Sequence, residues 1–283
     1  METLLLVGLN TVWQIAALAL LALGLAIVFG QLKILNMAHG EFVMLGAYAH
    51  VLTADLGLPP LMAIPVCFVF VGTIAFLVER LVVRHLYDRM FDSLLATWAL
   101  SILIREAVEL AWGRSFRNVA MPIEGVTQIG PVGYPTYRLI LIACIVVSLI
   151  VLWLWYRRSL TGVRLQAMVS NPNLARASGI NTARLSSVAF VTGCLLAGLS
   201  GLLLAPTIAV EPNMGVDALI RSFFALVVGG LGTFEGLGIG VIVVGGLQAG
   251  LSAALSQTAG YLGVLVLAIL FLWKRPNGLY RRS

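Results

Sequence analysis

The residues able to do chemistry in this chain are few. Ala197 to Leu202 reads AGLSGL, and a serine set among glycines in an apolar helix can act as a nucleophile only if a base activates it. The histidines, His39, His50 and His85, all lie far upstream of Ser200. Packing is the simpler account: Ala189, Gly193, Ala197 and Gly201 recur every fourth residue, a small-residue face that admits a second helix closely. His39 and His50 would share one face of an unbroken helix, but three turns of rise, about 16 Å, keep them from sharing an ion. There is no H-E-x-x-H pair, so no metal is expected. Cys67, Cys144 and Cys194 each sit in an apolar run and read as packing residues rather than a disulfide or metal framework. No G-x-x-x-x-G-K-[ST] loop is present to cradle phosphates. No bound cofactor and no enzyme activity are expected.

Two polar interruptions stand out against the apolar background. LKILNMAHGEFVMLGAY, Leu32 to Tyr48, carries Asn36, His39, Gly40 and Glu41. ALVVGGLGTFEGLGIGVIVVGGL carries Gly229, Gly230, Gly232 and Glu235. Broken helices in a membrane are tolerated only against protein or a water-filled cavity, and paired breaks in two halves of a chain point to a transport pathway. One reading makes the two segments flexible ends of a gate on the cytoplasmic side, with each carboxylate finding new partners as the gate opens. The other makes each a tight turn between two helices near that face. His39 is expected to hydrogen-bond near the break, with Asn36 or Glu41 as its partner.

The elements that must position these residues follow from composition. Of the 283 residues, 60% are hydrophobic and 11% charged, with a mean hydropathy of +1.00. That balance belongs to an integral membrane protein, and the apolar runs do not alternate as barrel strands would. The N-terminus has no Lys or Arg before its apolar run and reads as a retained first helix rather than a signal peptide. Helices are expected at about 4–30, 37–54, 61–83, 92–112, 138–156 and 183–206, and the tail has room for up to three more. The fold class is all-α: one transmembrane domain over 1–283, a bundle of about eight or nine segments with at least one broken.

Basic residues set the orientation. Lys33; Arg80, Arg84 and Arg89; Arg157, Arg158, Arg164, Arg176 and Arg184; and Lys274, Arg275, Arg281 and Arg282 fall in four segments. The intervening loops hold Asp55, Glu124, Glu211 and Asp217 with fewer cations. The positive-inside rule then puts the N-terminus outside and the C-terminus in the cytoplasm. It also explains the net charge of +6 without nucleic acid. Within the polar segment 157–184, Asn171 suits an N-cap, Pro172 the first helical position and Gly179 a C′ residue. A helix over Pro172 to Ser178 follows, too short and polar to span. With Ala175, Ala177 and Ser178 beside Arg176, it has the form of a piece that docks into another protein.

Taken in order, GLAIVFGQLKILNMAHGEFVMLGAY, LLATWALSILI, NPNLARASGIN, EPNMG, VVGGLGTFEG and KRPNGL resemble the permease subunit of branched-chain amino-acid and urea-type ABC importers. The resemblance runs from about Gly24 to Leu279. It implies a second permease of related fold, two cytoplasmic ATPase subunits that bind ATP and Mg, a periplasmic solute-binding protein, and residence in the bacterial inner membrane among its lipids. It further implies that Asn171, Pro172, Leu174, Ala175, Arg176, Gly179 and Asn181 belong to a coupling helix that meets an ATPase. Arg105, Glu106 and Glu109, read as the charged end of a helix, are its least typical part.

A branched-chain amino acid is the first expectation for the solute. Urea or a short amide is the alternative, encouraged by LLATWALSIL. From another class, a proton-coupled secondary transporter would need ionisable residues deep in the bundle, whereas the deep positions read as uncharged: Asn10, Gln14, Thr97, Ser101, Thr192 and Gln248. Thr97 and Ser101, one turn apart, are expected to line a polar track.

Overall fold

In a computed structural model, residues 2–32, 36–87, 89–230, 234–274 and 279 are described. Gly232, Lys33, Arg275, Arg281 and Arg282 lie outside them. The helices are α1 (Glu2–Leu32), α2 (His39–Asp55), α3 (Ala63–Leu81), α4 (Met90–Trp112), α5 (Thr136–Arg158), α6 (Leu160–Ser170), α7 (Pro172–Ala177), α8 (Thr182–Leu204), α9 (Met214–Gly229), α10 (Phe234–Ala254) and α11 (Gln257–Lys274). Between α4 and α5 an antiparallel hairpin, β1 (Val126–Ile129) and β2 (Val132–Pro135), turns at Gly130. The sequence reading contained no strand there. The glycine supplies the left-handed backbone that the tight turn needs, at φ +60°.

Six described segments are long and apolar enough to cross a membrane alone: those containing α1, α3, α5, α8, α10 and α11. Of the other long helices, α2 and α9 have only 17 and 16 residues. The 23-residue α4 carries Asp92, Arg105, Glu106 and Glu109. With these three counted as crossings, the bundle has nine among the described residues, the upper end of the expected number.

The core is built around α2. Every residue from His39 to Val51 is buried, as expected of a helix that is apolar on all sides and meets protein all round. The small-residue face predicted on α8 is what lets α1 and α2 come so near. A Cβ placed on Gly201 would fall 1.8 Å from the carbonyl oxygen of Val43, and one on Gly193 would strike Val28 at 2.5 Å. Ser200 donates to the Ala197 carbonyl at 2.6 Å, so its hydroxyl is engaged within its own helix. Cys67 and Cys194 are buried in packing positions, while Cys144 is exposed.

The two ends of the bundle differ in charge. Around α6 and α7 gather the exposed residues Arg80, Arg84, Arg157, Arg158, Arg164, Arg176 and Arg184; Arg80, Arg84 and Arg184 line a 530 Å³ cavity with Asn181. At the opposite end lie the hairpin and Asp55, which accepts from Trp112 Nε1 at 3.2 Å and faces Arg117 at 4.0 Å. There Tyr134 of β2 donates to Asn10 of α1 at 3.3 Å.

Candidate functional site

The first polar interruption is where α2 begins. Asn36 Oδ1 accepts from Ala38 N–H at 3.1 Å, and Met37 N–H donates across to Thr97 Oγ1 of α4 at 3.1 Å. His39 Nε2 lies 3.3 Å from the carbonyl oxygen of Leu21, not against the side chain of Asn36 or Glu41 as the sequence suggested. Leu21 stands eleven residues before the end of α1, about 16 Å of helical rise. The start of α2 is therefore level with the interior of α1 and enclosed by protein. A turn at the membrane face, one of the two sequence readings, does not describe it.

Glu41, in the first turn of α2, is 1% exposed. Its Oε1 accepts from Arg105 Nη2 at 2.7 Å and from Ser101 Oγ at 2.8 Å. Arg105 also donates to Ser101 at 3.2 Å, because the two are one turn apart on α4. A carboxylate this deep is sustained only by a partner and hydrogen bonds. A second contribution comes from helix geometry. Gly40 packs against Gly215 so closely that an added Cβ would be 1.9 Å from the Gly215 carbonyl oxygen. The N-termini of α2 and α9 thus converge beside Glu41, and each carries partial positive charge. Among the described residues, Glu41 Oε2, Asn36 Nδ2 and His39 Nδ1 have no hydrogen-bond partner, so acceptor and donor capacity remains in this buried cluster.

One expectation changes here. Arg105 lies seven residues before the end of α4, as the expected helix over 92–112 placed it, but the deep positions are not all uncharged, since it pairs with the buried Glu41. Thr97 and Ser101 are buried and share a face of α4, yet they tie down the start of α2 rather than line an open track. Arg105 was missed as a partner of Glu41 because 64 residues separate the two; the available signal was an Arg one turn from a Ser in an apolar run, a spacing able to grip one carboxylate.

The second interruption does not join the first. Gly229 ends α9 and Gly230 has φ +116°. Gly229 and Gly240 allow α9 and α10 to touch, since a Cβ on either would be 1.9 Å from a carbonyl oxygen of the other helix. Glu235 pairs with Arg157 at 3.0 Å, at the arginine-rich end, and is partly exposed. Among the described residues, the flanks of the second break, Gly229, Gly230 and Gly236, are buried, and Glu235 is partly exposed.

The α7 segment forms as its local signals dictate. Asn171 Oδ1 accepts from Leu174 N–H at 3.0 Å, Pro172 opens the helix, and Asn181 Oδ1 caps α8 through Arg184 N–H at 3.0 Å. Gly179 takes φ +81°, closing α7 while Arg176 Nε donates to Thr182 at 3.0 Å. Ala175 is 3% exposed and Leu174 64%. Leu174 offers the free apolar surface, and Ala175 is covered by its own chain. Among the described residues no group of three or more His, Cys, Asp or Glu could hold a metal ion.

The family described as branched-chain amino acid transport system / permease component matches residues 8–273. The chain belongs to that family. Among curated relatives, the high-affinity branched-chain amino acid transport system permease protein LivH of Salmonella typhimurium is 28% identical, over 93% of this chain and 91% of its own length. BraD of Pseudomonas aeruginosa, described in the same words, is 29% identical with the same coverage. The fructose import permease protein FrcC of Rhizobium meliloti is 25% identical over 83% of this chain and 65% of its own length. Among solved structures, PsaBC from Streptococcus pneumoniae in complex with Fab covers 96% of this chain and 92% of the matched chain, with a TM-score of 0.56 at 11% identity, a likeness of fold. As a member of this permease family, the chain is a multi-pass membrane subunit of a transport system.

Proposed function

We propose that this chain is the membrane permease of an ATP-driven importer that carries branched-chain amino acids into the cytoplasm of a bacterium. The family match over nearly the whole chain carries the reading. The arginine-rich end bearing α7 faces the cytoplasm, the hairpin faces the periplasm, and the N- and C-termini lie outside and inside respectively. A second permease copy or homologue completes the membrane unit. Two ATPase subunits hold ATP and Mg, and a periplasmic binding protein delivers the solute.

In this arrangement α7 is the coupling helix, and Asn171, Pro172, Arg176, Gly179 and Asn181 fix its shape while Leu174 enters the ATPase groove. The Asn36–Glu41 segment moves with α4 as the gate changes state, because its polar contacts run to Thr97, Ser101 and Arg105. Gly229, Gly230 and Glu235 flank the cytoplasmic break; Gly232, expected there from the sequence, lies outside the described residues.

The test is competition for uptake into proteoliposomes that hold the assembled complex and are supplied with its binding protein. Leucine, isoleucine and valine are expected to displace labelled leucine, and urea is not. Uptake of urea or a short amide without leucine uptake would contradict the proposed solute.

A further inference from the structure

Arg221, half-buried on α9, plays no part in the Glu41 site. It lies midway along α9, where a cation on a spanning helix is costly unless it faces partners or a cavity. Its guanidinium lies over the Tyr261 ring of α11, 4.5 Å from the centroid, and Nη2 donates to the Tyr261 hydroxyl. Arg221 makes no salt bridge among the described residues, in contrast to Arg105. Asp217, one turn earlier, is exposed.

Two cavities meet at this arginine. One, of 550 Å³, opens along α1 from Val7 to Leu21 and reaches Asn10, Arg138 and Thr207 at the hairpin end. The other, of 490 Å³, lies further toward the α7 end. Leu25, Leu219, Phe223, Phe224 and Val264 line it, and Asn36 and Met37 of the α2 break border it. Arg221, Gln248 and Tyr261 belong to both walls. Both volumes are in the range of small-molecule sites, about 300–1,000 Å³. In the first cavity three buried atoms lack any hydrogen-bond partner among the described residues: Arg221 Nε, Gln14 Oε1 and Ser252 Oγ. A free guanidinium N–H, two free oxygen acceptors and an adjoining apolar chamber match the parts of a zwitterionic amino acid with an aliphatic side chain.

We infer that Arg221 binds the α-carboxylate of the transported amino acid, between a polar entry chamber and an apolar chamber that takes its side chain. The inference rests on the proposed amino-acid import. Guanidinium and carboxylate pair through two parallel hydrogen bonds, and binding replaces the Tyr261 hydroxyl as a partner of Nη2. Gln14 and Ser252 accept from the α-ammonium group. Tyr261, released from Arg221, is then free to move aside and join the two chambers.

Two measurements on the assembled complex test this. In proteoliposomes, Arg221→Gln is expected to lower leucine uptake per complex at least tenfold, and Arg221→Lys to restore part of it. Equal uptake by Arg221→Gln and the unaltered complex would overturn the inference, as would loss of the second permease subunit from purified Arg221→Gln complex, which would make Arg221 an interface residue. The second measurement is independent of import. With Cys67, Cys144 and Cys194 replaced, alkylation of a Ser252→Cys complex is expected to slow with leucine and not with leucinamide, and the protection to vanish when Arg221→Gln is added. Equal effects of leucine and leucinamide would overturn the carboxylate assignment. A complex that imports no leucine yet shows carboxylate-dependent protection would contradict the proposed function and leave the Arg221 site standing.

Discussion

Glu41 at the start of α2 and Arg105 within α4 meet at 2.7 Å, with Ser101 bonded to both. Nothing else described links these two helices through opposite charges. The pair fixes the start of the most buried helix in the molecule at a depth that α1 passes without interruption.

Removing either partner has unequal consequences. Arg105→Gln leaves Glu41 buried without a cation and should cost about 3–5 kcal/mol. Glu41→Gln keeps an oxygen for Ser101 and leaves behind an arginine whose side chain is 23% exposed, so its cost is smaller. The double variant should recover part of the Arg105→Gln loss. Thermal unfolding of the detergent-solubilised chain in all four combinations gives the coupling, and strictly additive losses would contradict a direct pair.

The α2–α8 contact should tolerate no side chain. Gly201→Val places carbon atoms inside the Val43 carbonyl, and Gly46→Val does the same at Gly198; both should abolish monodisperse protein. Gly246→Ala meets nothing within 4 Å and should behave as the parent in size-exclusion chromatography. Parent-like elution of both valine variants would mean that the helices are further apart than described.

How far the sequence discloses such features depends on the range of the interaction. The ends of α7 were readable because Asn171, Pro172 and Gly179 act on groups a few residues away. The small face of α8 was readable because helical spacing alone puts Gly193, Ala197 and Gly201 in line. The hairpin left no alternating pattern strong enough to notice over two strands of four residues. Depth was the larger loss. Hydropathy does not tell how deep an Arg lies or what it meets, so Arg105 was grouped with Glu106 and Glu109 at the charged end of its helix and Arg221 drew no attention within ALIRSFFALVV. Tertiary pairing for one and a cavity for the other hold them inside, and neither is local in sequence.

The exposed face of α7 should govern ATPase attachment. Leu174→Asp is expected to lose ATPase subunits on co-purification while the permease itself remains folded. Asn171→Ala, which removes the cap, should weaken attachment less, in line with about 1 kcal/mol for a lost N-cap. Ala175→Trp acts inside the segment and should lower the stability of the α6–α7 region. Full ATPase retention by Leu174→Asp would contradict the coupling role.

Orientation is checked by single cysteines. With the three native cysteines replaced, Asn173→Cys and Glu124→Cys should be labelled from opposite sides of sealed vesicles, Asn173→Cys from the cytoplasmic side. Labelling of both from one side would reverse the assignment of the arginine-rich end.

The source of energy separates the central claim from its strongest rival, a proton-coupled carrier, now that Glu41 is known to lie inside the bundle. The decisive measurement is leucine accumulation in sealed proteoliposomes bearing the complete complex, with binding protein outside and ATP enclosed. Accumulation should require enclosed ATP and persist when a protonophore collapses the proton gradient. Accumulation that needs no ATP and disappears with the protonophore would contradict the account.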